Sequence, residues 1–498
     1  MKIASVLKTS FIMLGLTGVS RALSLIREMM IAHYIGMNSL TDAFNVSQSA
    51  ITMVTTVLGA CCLSLVPYLI SNSKNEKASS NQLFSFLFLV FMAVCFVLAI
   101  FLALFSNEIA TLLAPGFSRE TVELAGDLLR IGFLKLNCII AGTMFGYLLQ
   151  SRQIFISTGI AAVAQNLVVV ILIFTSNEPS IYEYTVYTVV GFAVQVIVLI
   201  PFVIKAGFSF TFEWGFGKFS VLSELIKSSF PLALVSVLFT LHFVFARIVA
   251  SELGAGAVSS VDYASKIAQL AFALFTMSLN AILFTKIANL INESNKKQAM
   301  LYLLNGVKAQ IALIVPLMAV LICFGNQIVA IVYQRGNFTE YDTFAVGSVL
   351  LGYSFAILGY VFNDLVSKYL TSTNQYKKIN IINAVGYFFS FLVLFLFGKL
   401  FGLFGVSLSF ALAQVIIAFL YLLVIRKELL LVVFDLNGFR KDCFKLFTLL
   451  FLTCASICLI RLCCVQDYLY IGLVFIAAVI SVYFFALKKF KINIDIRE

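Results

Sequence analysis

From Phe11 to Ile31 the chain stays mostly apolar for long enough to cross a bilayer, and such stretches recur almost to its C-terminus. A membrane-crossing helix needs about twenty mostly apolar residues. On that criterion the sequence predicts about fourteen spans, near 5–33, 42–70, 82–106, 121–150, 154–174, 182–205, 224–250, 258–288, 302–325, 342–370, 379–399, 403–425, 443–463 and 467–487. Charged residues make up 11% of the chain, against about 25% in an average soluble domain. The chain is therefore predicted to be an all-α polytopic membrane protein, and soluble enzyme chemistry is a poor starting point. The first span runs on into others and has no small-residue cleavage site, so it reads as a first transmembrane helix rather than a secretory signal.

The formal net charge of +11 is dispersed over short connections, which points to membrane topology rather than to nucleic acid. One set of connections holds Lys74, Lys77, Arg152, Lys205, Lys218, Lys286, Lys296 and Lys297, then Lys377, Lys378, Arg426 and Lys427 and the tail lysines Lys488 and Lys489. The opposite set holds Glu108, Glu120, Glu178, Glu252 and Glu340, with few basic residues. Both termini are thus expected in the cytoplasm. Longer cytoplasmic connections near 206–223 and 426–442 divide the chain into an N-terminal lobe at 1–206, a C-terminal lobe at 224–427 and a final helix pair with tail at 441–498.

The two halves carry a weak internal repeat. Arg27, Gly36 and Asp42 recur as Arg247, Gly256 and Asp262, each 220 residues on. Phe117-Ser118, Gly126 and Ser151 recur as Phe338-Thr339, Gly347 and Ser372, each 221 residues on. Six helices per repeat keep both halves in the same orientation, which is the plan of transporters built from parallel repeats.

Charge at membrane depth is the unusual feature. Arg21, Arg27 and Glu28 sit in the first span and Asp42 opens the second; the other half supplies Arg247, Asp262 and Lys266. A charge there costs a few kcal/mol or more, so it usually faces a polar cavity or a partner. Arg21 and Arg27 are six residues apart, about 1.7 helical turns, so they border one broad cavity rather than one stripe. Either of them alone also has a plainer reading, in which it snorkels to the interface. Arginine grips a diphosphate well, because its fork donates two hydrogen bonds to phosphate oxygens. Asp42 is a candidate brace for Arg27. Asp262 and Lys266 are spaced to pair on one helix face, as are Asp364 and Lys368, the latter pair reading as structural.

Other chemistry is poorly represented. There is no Walker A loop, no HExxH and no GxSxG, so neither an enzyme nor a nucleotide-driven pump is expected. His33 and His242 have no second ligand at metal spacing, and no cofactor or metal is expected. Most of the ten cysteines lie in apolar runs and read as reduced core residues.

These residues carry a resemblance. Ser20-Arg21-x5-Arg27-Glu28 followed by Ile35-Gly36-x5-Asp42-Ala43-Phe44 resembles the opening signature of the MurJ/MviN family of lipid II flippases. Leu113-Ala-Pro-Gly-Phe117, Leu128-Leu-Arg-Ile131, Tyr263-Ala-Ser-Lys-Ile267 and Tyr333-Gln-Arg-Gly-Asn-Phe-Thr339 are similar to further stretches of that family. The resemblance implies the fold of the multidrug/oligosaccharidyl-lipid/polysaccharide exporters, with two six-helix lobes around a cavity and two further helices forming a groove for a lipid tail. It implies substrate-binding roles for Arg21, Arg27, Ser20 and Lys266, with Lys266 standing where the family has an arginine, and a neighbouring polar position for Asp42. Glu28, Asp42, Arg247 and Asp262 are then expected to gate or to brace charge. In its second span the chain departs from the family, with Thr52-Met53-Val54-Thr55 in place of an arginine pair and Leu58-Gly59-Ala60 without the acid.

The resemblance implies a flippase for lipid II in a bacterial inner membrane, with a lipid-linked glycan and membrane lipids as partners and cell-wall synthesis enzymes as further candidates. Alternatives at this stage are a flippase for another polyprenyl-linked glycan, a cation-coupled small-molecule exporter and a non-transporting scaffold. The basic cavity speaks against the exporter, and buried arginines speak against the scaffold.

Overall fold

The computed structural model describes residues 3–73, 77–176, 178–211, 217–430, 444, 445 and 448. The described residues are helical, with short turns between. In chain order the helices are α1 (Ile3–Tyr34), α2 (Ser39–Cys61), α3 (Leu65–Ser73), α4 (Lys77–Leu104), α5 (Ser106–Leu113), α6 (Arg119–Ser151) and α7 (Ile156–Thr175). Then come α8 (Ile181–Lys205), α9 (Gly217–Ser251), α10 (Ala257–Asn292), α11 (Lys296–Tyr333), α12 (Glu340–Ser372) and α13 (Tyr376–Leu430).

The first twelve predicted spans all fall on these helices. The span predicted near 42–70 is α2 and α3 together, interrupted by a turn after Cys61. The two spans predicted near 379–399 and 403–425 are the legs of α13, parted at Gly402, whose φ of 58° suits glycine. The predicted spans near 443–463 and 467–487, and with them the helix pair of 441–498, lie outside the described residues apart from 444, 445 and 448. Nine stretches of the described residues are long and apolar enough to cross a membrane. In α1, Arg21, Arg27 and Glu28 put charge at membrane depth, so the helix depends on partners for those groups.

Local chemistry sets the helix starts. Asn38 caps α2 and Thr41 returns the bond in a capping box. Ser180 and Glu183 do the same at α8. The internal repeat is visible in the same local detail. Gly36 and Gly256 both sit at φ 82°. Ser118 caps α6 through the Thr121 amide, and Thr339 accepts the Asp342 amide at the start of α12. A methyl group on Gly126 would strike the Asn107 amide, and one on Gly347 would strike that of Asn326. Positive φ angles at Gln153 and Asn374 end the matching helices. An offset of 219 to 221 residues in every pair is hard to obtain without a common architecture.

The chain divides into two compact units, Met1–Ser259 with Tyr333–Asp342, and Ser260–Val332 with Thr343–Glu498. In the first, α6 is central and packs on α2, α4 and α8, while α1 packs on α7. The inward stripe of α6 runs Thr121, Ala125, Leu128, Gly132 and then Lys135. Gly132 lets the helix close on Ile51 of α2. In the second unit small residues of α12 and α13 make similar close approaches, Gly352 on Ser407 and Gly386 on Ile417. Asn363 there donates to the Gln414 backbone and side-chain oxygens at 2.9 and 3.0 Å. Asp364 and Lys368 form their ion pair at 2.7 Å; each is about one-third exposed, which fits the structural reading.

Candidate substrate site

The polar residues of α1 converge on α7. Arg27 Nη2 lies 2.9 Å from Glu28 Oε1, and Arg27 Nη1 donates to Asn166 Oδ1 at 3.4 Å. Asn166 Nδ2 donates to Ser20 Oγ at 3.1 Å and to the Ala162 carbonyl at 3.0 Å. Ser20 Oγ donates to that same carbonyl at 3.3 Å. Ser20 and Arg27, seven residues apart, are thus held by one amide. The Glu28 side chain is 8% exposed and that of Arg27 17%, so the pair is largely desolvated. Arg27 Nε is buried without a hydrogen-bond partner. Tyr184 and Phe44, rings 4.8 Å apart, border the cluster.

Two contributors were not singled out in the sequence. Asn166 lies in the predicted span near 154–174, where one amide in an apolar helix is unremarkable. Lys135 is 5% exposed on the inward stripe of α6. Its Nζ donates to Gln48 Oε1 of α2 and stands 5.5 Å from the centre of the Phe192 ring. The available signal was a lysine midway along a predicted span.

The remaining candidates separate. Arg21 is exposed and makes no hydrogen bond or ion pair among the described residues. Arg247 Nη1 donates to Ser49 Oγ at 2.7 Å. Asp262 is buried, and Lys266 stands 5.6 Å from the Tyr263 ring centre; both belong to the second unit.

Asp42 corrects an expectation. The acid that pairs with Arg27 is Glu28, its neighbour in sequence. Asp42 instead accepts from the Gly256 amide at 2.6 Å and the Ser259 amide at 2.7 Å, and from Ser259 Oγ at 2.6 Å. It therefore places a carboxylate at the N-terminus of α10, where free amides and the helix dipole favour negative charge. Asn45 Nδ2 adds a bond to Ser259 Oγ at 3.2 Å.

Neighbouring contacts tie the same end of the first unit. Asn337 donates its backbone amide to the His33 carbonyl at 2.9 Å and its side-chain amide to the Tyr34 carbonyl. The Gly116 amide donates to Ser251 Oγ at 3.3 Å. From this end α2 and α9 run antiparallel with polar contacts down their length. Ser49–Arg247 is followed by Thr56–Thr240 at 3.5 Å and by Ser229 Oγ donating to Ser64 Oγ at 2.9 Å. A cavity of about 710 Å³ flanks the tied end between His33, Tyr34, Glu178, Ser180, Tyr182 and Asn337, and none of the α1 charges lines it.

What the arrangement can do chemically is present a guanidinium, one of whose donors is unused, in a desolvated setting at membrane depth. That suits an anion.

Comparison with known proteins agrees with this anatomy. The family model described as "Lipid II flippase MurJ" matches residues 31–479, beginning just after Arg27. A protein of Helicobacter pylori named "Probable lipid II flippase MurJ" is 26% identical over 459 residues, covering 86% of this chain and 96% of its own length. A protein of the same name from Buchnera aphidicola is 25% identical over 383 residues, covering 75% and 73%. The solved structure "Lipid II flippase MurJ, inward closed conformation" superposes with a TM-score of 0.82 at 21% identity, over 96% of this chain and 99% of that one. An inward-facing multidrug transporter of the MATE family superposes at 0.66 with 14% identity, covering 84% and 99%, so the two chains share a fold. With a family match across most of its length and the helical anatomy that goes with it, this multi-pass membrane chain belongs to the lipid II flippase MurJ family.

Proposed function

We propose that this chain moves lipid II, the undecaprenyl-diphosphate-linked peptidoglycan precursor, from the cytoplasmic to the outer leaflet by alternating access. The observation that carries the reading is the desolvated Arg27–Glu28–Asn166–Ser20 cluster in the first span of a chain of this family. The diphosphate is the part of the substrate that an arginine fork recognises. Arg27 is the principal contact, Ser20 a neighbouring polar group, and Arg21 and Lys266 further substrate-binding cations. Glu28 holds Arg27 in place. Asp42 and Arg247 hold α2 to the α9–α10 side of the first unit and act as gate residues, with Asp262 in the equivalent position of the second half.

The lobes of this reading are 1–206 and 224–427, rocking about the site, with the helix pair of 441–498 guiding the lipid tail. Both termini face the cytoplasm of a bacterial inner membrane, as the loop charges direct. The chain acts as a transporter and not as an enzyme, and its working partners include the enzymes that make and consume the precursor. A membrane potential of 100 mV supplies about 2.3 kcal/mol per charge moved, enough to bias such a cycle. A second reading, a flippase for a different polyprenyl-linked glycan, draws on Thr52 and Thr55 standing in α2 where the resemblance expects arginines.

Complementation separates the two. The gene is expected to sustain wall synthesis and growth in a bacterium depleted of its own lipid II flippase. Failure there, with rescue of a strain lacking a flippase for another polyprenyl-linked glycan, would favour the second reading. Orientation has its own test. A cysteine at Ser209 should be shielded from a non-permeant thiol reagent in intact cells, and one at Ser118 should react. The reverse pattern would invert the topology.

A further inference from the structure

Lys135 poses a question that the fold does not answer. It lies 5% exposed on the inward stripe of the central helix, where every neighbouring stripe position is small, apolar or hydroxylic. A lysine buried at such depth is costly unless it meets an acid. It meets none among the described residues. Its contacts are the side-chain oxygen of Gln48, a neutral acceptor, and the face of Phe192. Another cation, Arg27, is near enough to act on it electrostatically.

The charge count of the cluster follows. Arg27 and Lys135 contribute two positive charges and Glu28 one negative charge. Glu28 is engaged with Nη2 of Arg27, and the Nε donor of Arg27 has no partner. Donors and positive charge are therefore both in excess among these groups, contributed by two helices, α1 and α6. A packed bundle with no ligand would be better served by methionine or leucine at position 135.

We propose that Lys135 is a substrate-binding residue, the second cation of a diphosphate site shared with Arg27. The assignment rests on the reading of the chain as a carrier of a lipid-linked diphosphate. Gln48 holds the ammonium while the site is unliganded, and the phosphate oxygens replace Gln48 as its acceptor when the head group arrives. Two phosphates need two cations, so the contribution of Lys135 should be larger for a diphosphate lipid than for a monophosphate lipid.

The test uses the full-length protein in lipid nanodiscs, with undecaprenyl diphosphate, undecaprenyl monophosphate and phosphatidylglycerol as probes. Wild type is expected to prefer the diphosphate. Lys135→Gln, which can still bond Gln48, is expected to weaken diphosphate binding at least tenfold and monophosphate binding much less. Lys135→Arg is expected to keep the preference. A folded Lys135→Gln protein that binds the diphosphate as wild type does would overturn the assignment while leaving the functional reading intact. So would phosphatidylglycerol competing as well as the diphosphate, since the site would then take any lipid phosphate. If both Lys135→Gln and Lys135→Met fail to fold, Lys135 belongs to the packing of the bundle and the assignment is wrong. Wild type binding neither polyprenyl phosphate would overturn the functional reading and this assignment together.

Discussion

Arg27→Ala is expected to abolish lipid translocation. The substitution removes the guanidinium that faces the proposed diphosphate and the two bonds that fix it, to Glu28 and Asn166. Truncating one partner of a buried, hydrogen-bonded charge pair costs about 2–5 kcal/mol, so translocation should fall by at least about thirtyfold. A stability effect accompanies it, because Glu28 is left buried and unpaired. Arg27→Ala with Glu28→Gln separates the two effects. The double variant should recover thermal stability and membrane level but not translocation. Arg27→Lys should restore function only in part, since an ammonium keeps the charge and loses the fork. Growth near wild type for Arg27→Ala in the complementation strain would remove Arg27 from the substrate site.

Asp42→Ala is expected to loosen the tied end of the first unit. Two backbone donors, the amides of Gly256 and Ser259, lose their acceptor at once, while the Ser259 hydroxyl keeps Thr41 Oγ1 at 2.9 Å. Each buried donor left unsatisfied costs about 1–3 kcal/mol. Hydrogen exchange at the Gly256 and Ser259 amides should accelerate by roughly five- to a hundredfold on that scale. Asp42→Asn should fall between, because a neutral amide still accepts one bond but no longer complements the helix dipole. Unchanged exchange in Asp42→Ala would mean that the capping bonds do not hold this end together.

Those two residues also mark where the sequence was legible and where it was not. Arg27 stood out because a charge in an apolar helix is costly in any fold. The repeat was legible for a similar reason. Gly36 and Gly256 meet the same demand for positive φ, and Gly126 and Gly347 the same close approach, and glycine meets both. Asp42 stands out in the sequence as well, but its partners do not. Its partners lie more than two hundred residues away at the start of another helix, and nothing in the sequence distinguishes a carboxylate that caps a distant helix from one that pairs with an arginine. Asn166 and Lys135 escaped because each gains its meaning from the helix opposite. Asn166 is a lone amide until Ser20 and Arg27 are set beside it. Lys135 is a lone lysine until α6 turns it inward against Gln48. The second span lacks the arginines of the resemblance, and the buried cation beside it belongs to α6.

The central claim is that this chain carries lipid II across the bilayer by way of Arg27. Its most direct test is the amount of lipid II head group exposed to a non-permeant reagent in the outer leaflet, in cells whose only flippase is this chain or its Arg27→Ala variant at equal membrane level. The account predicts labelling near normal with the wild-type chain, and labelling at the flippase-depleted background, with lipid II accumulating on the inner side, with Arg27→Ala. Equal outer-leaflet labelling in the two strains would contradict it.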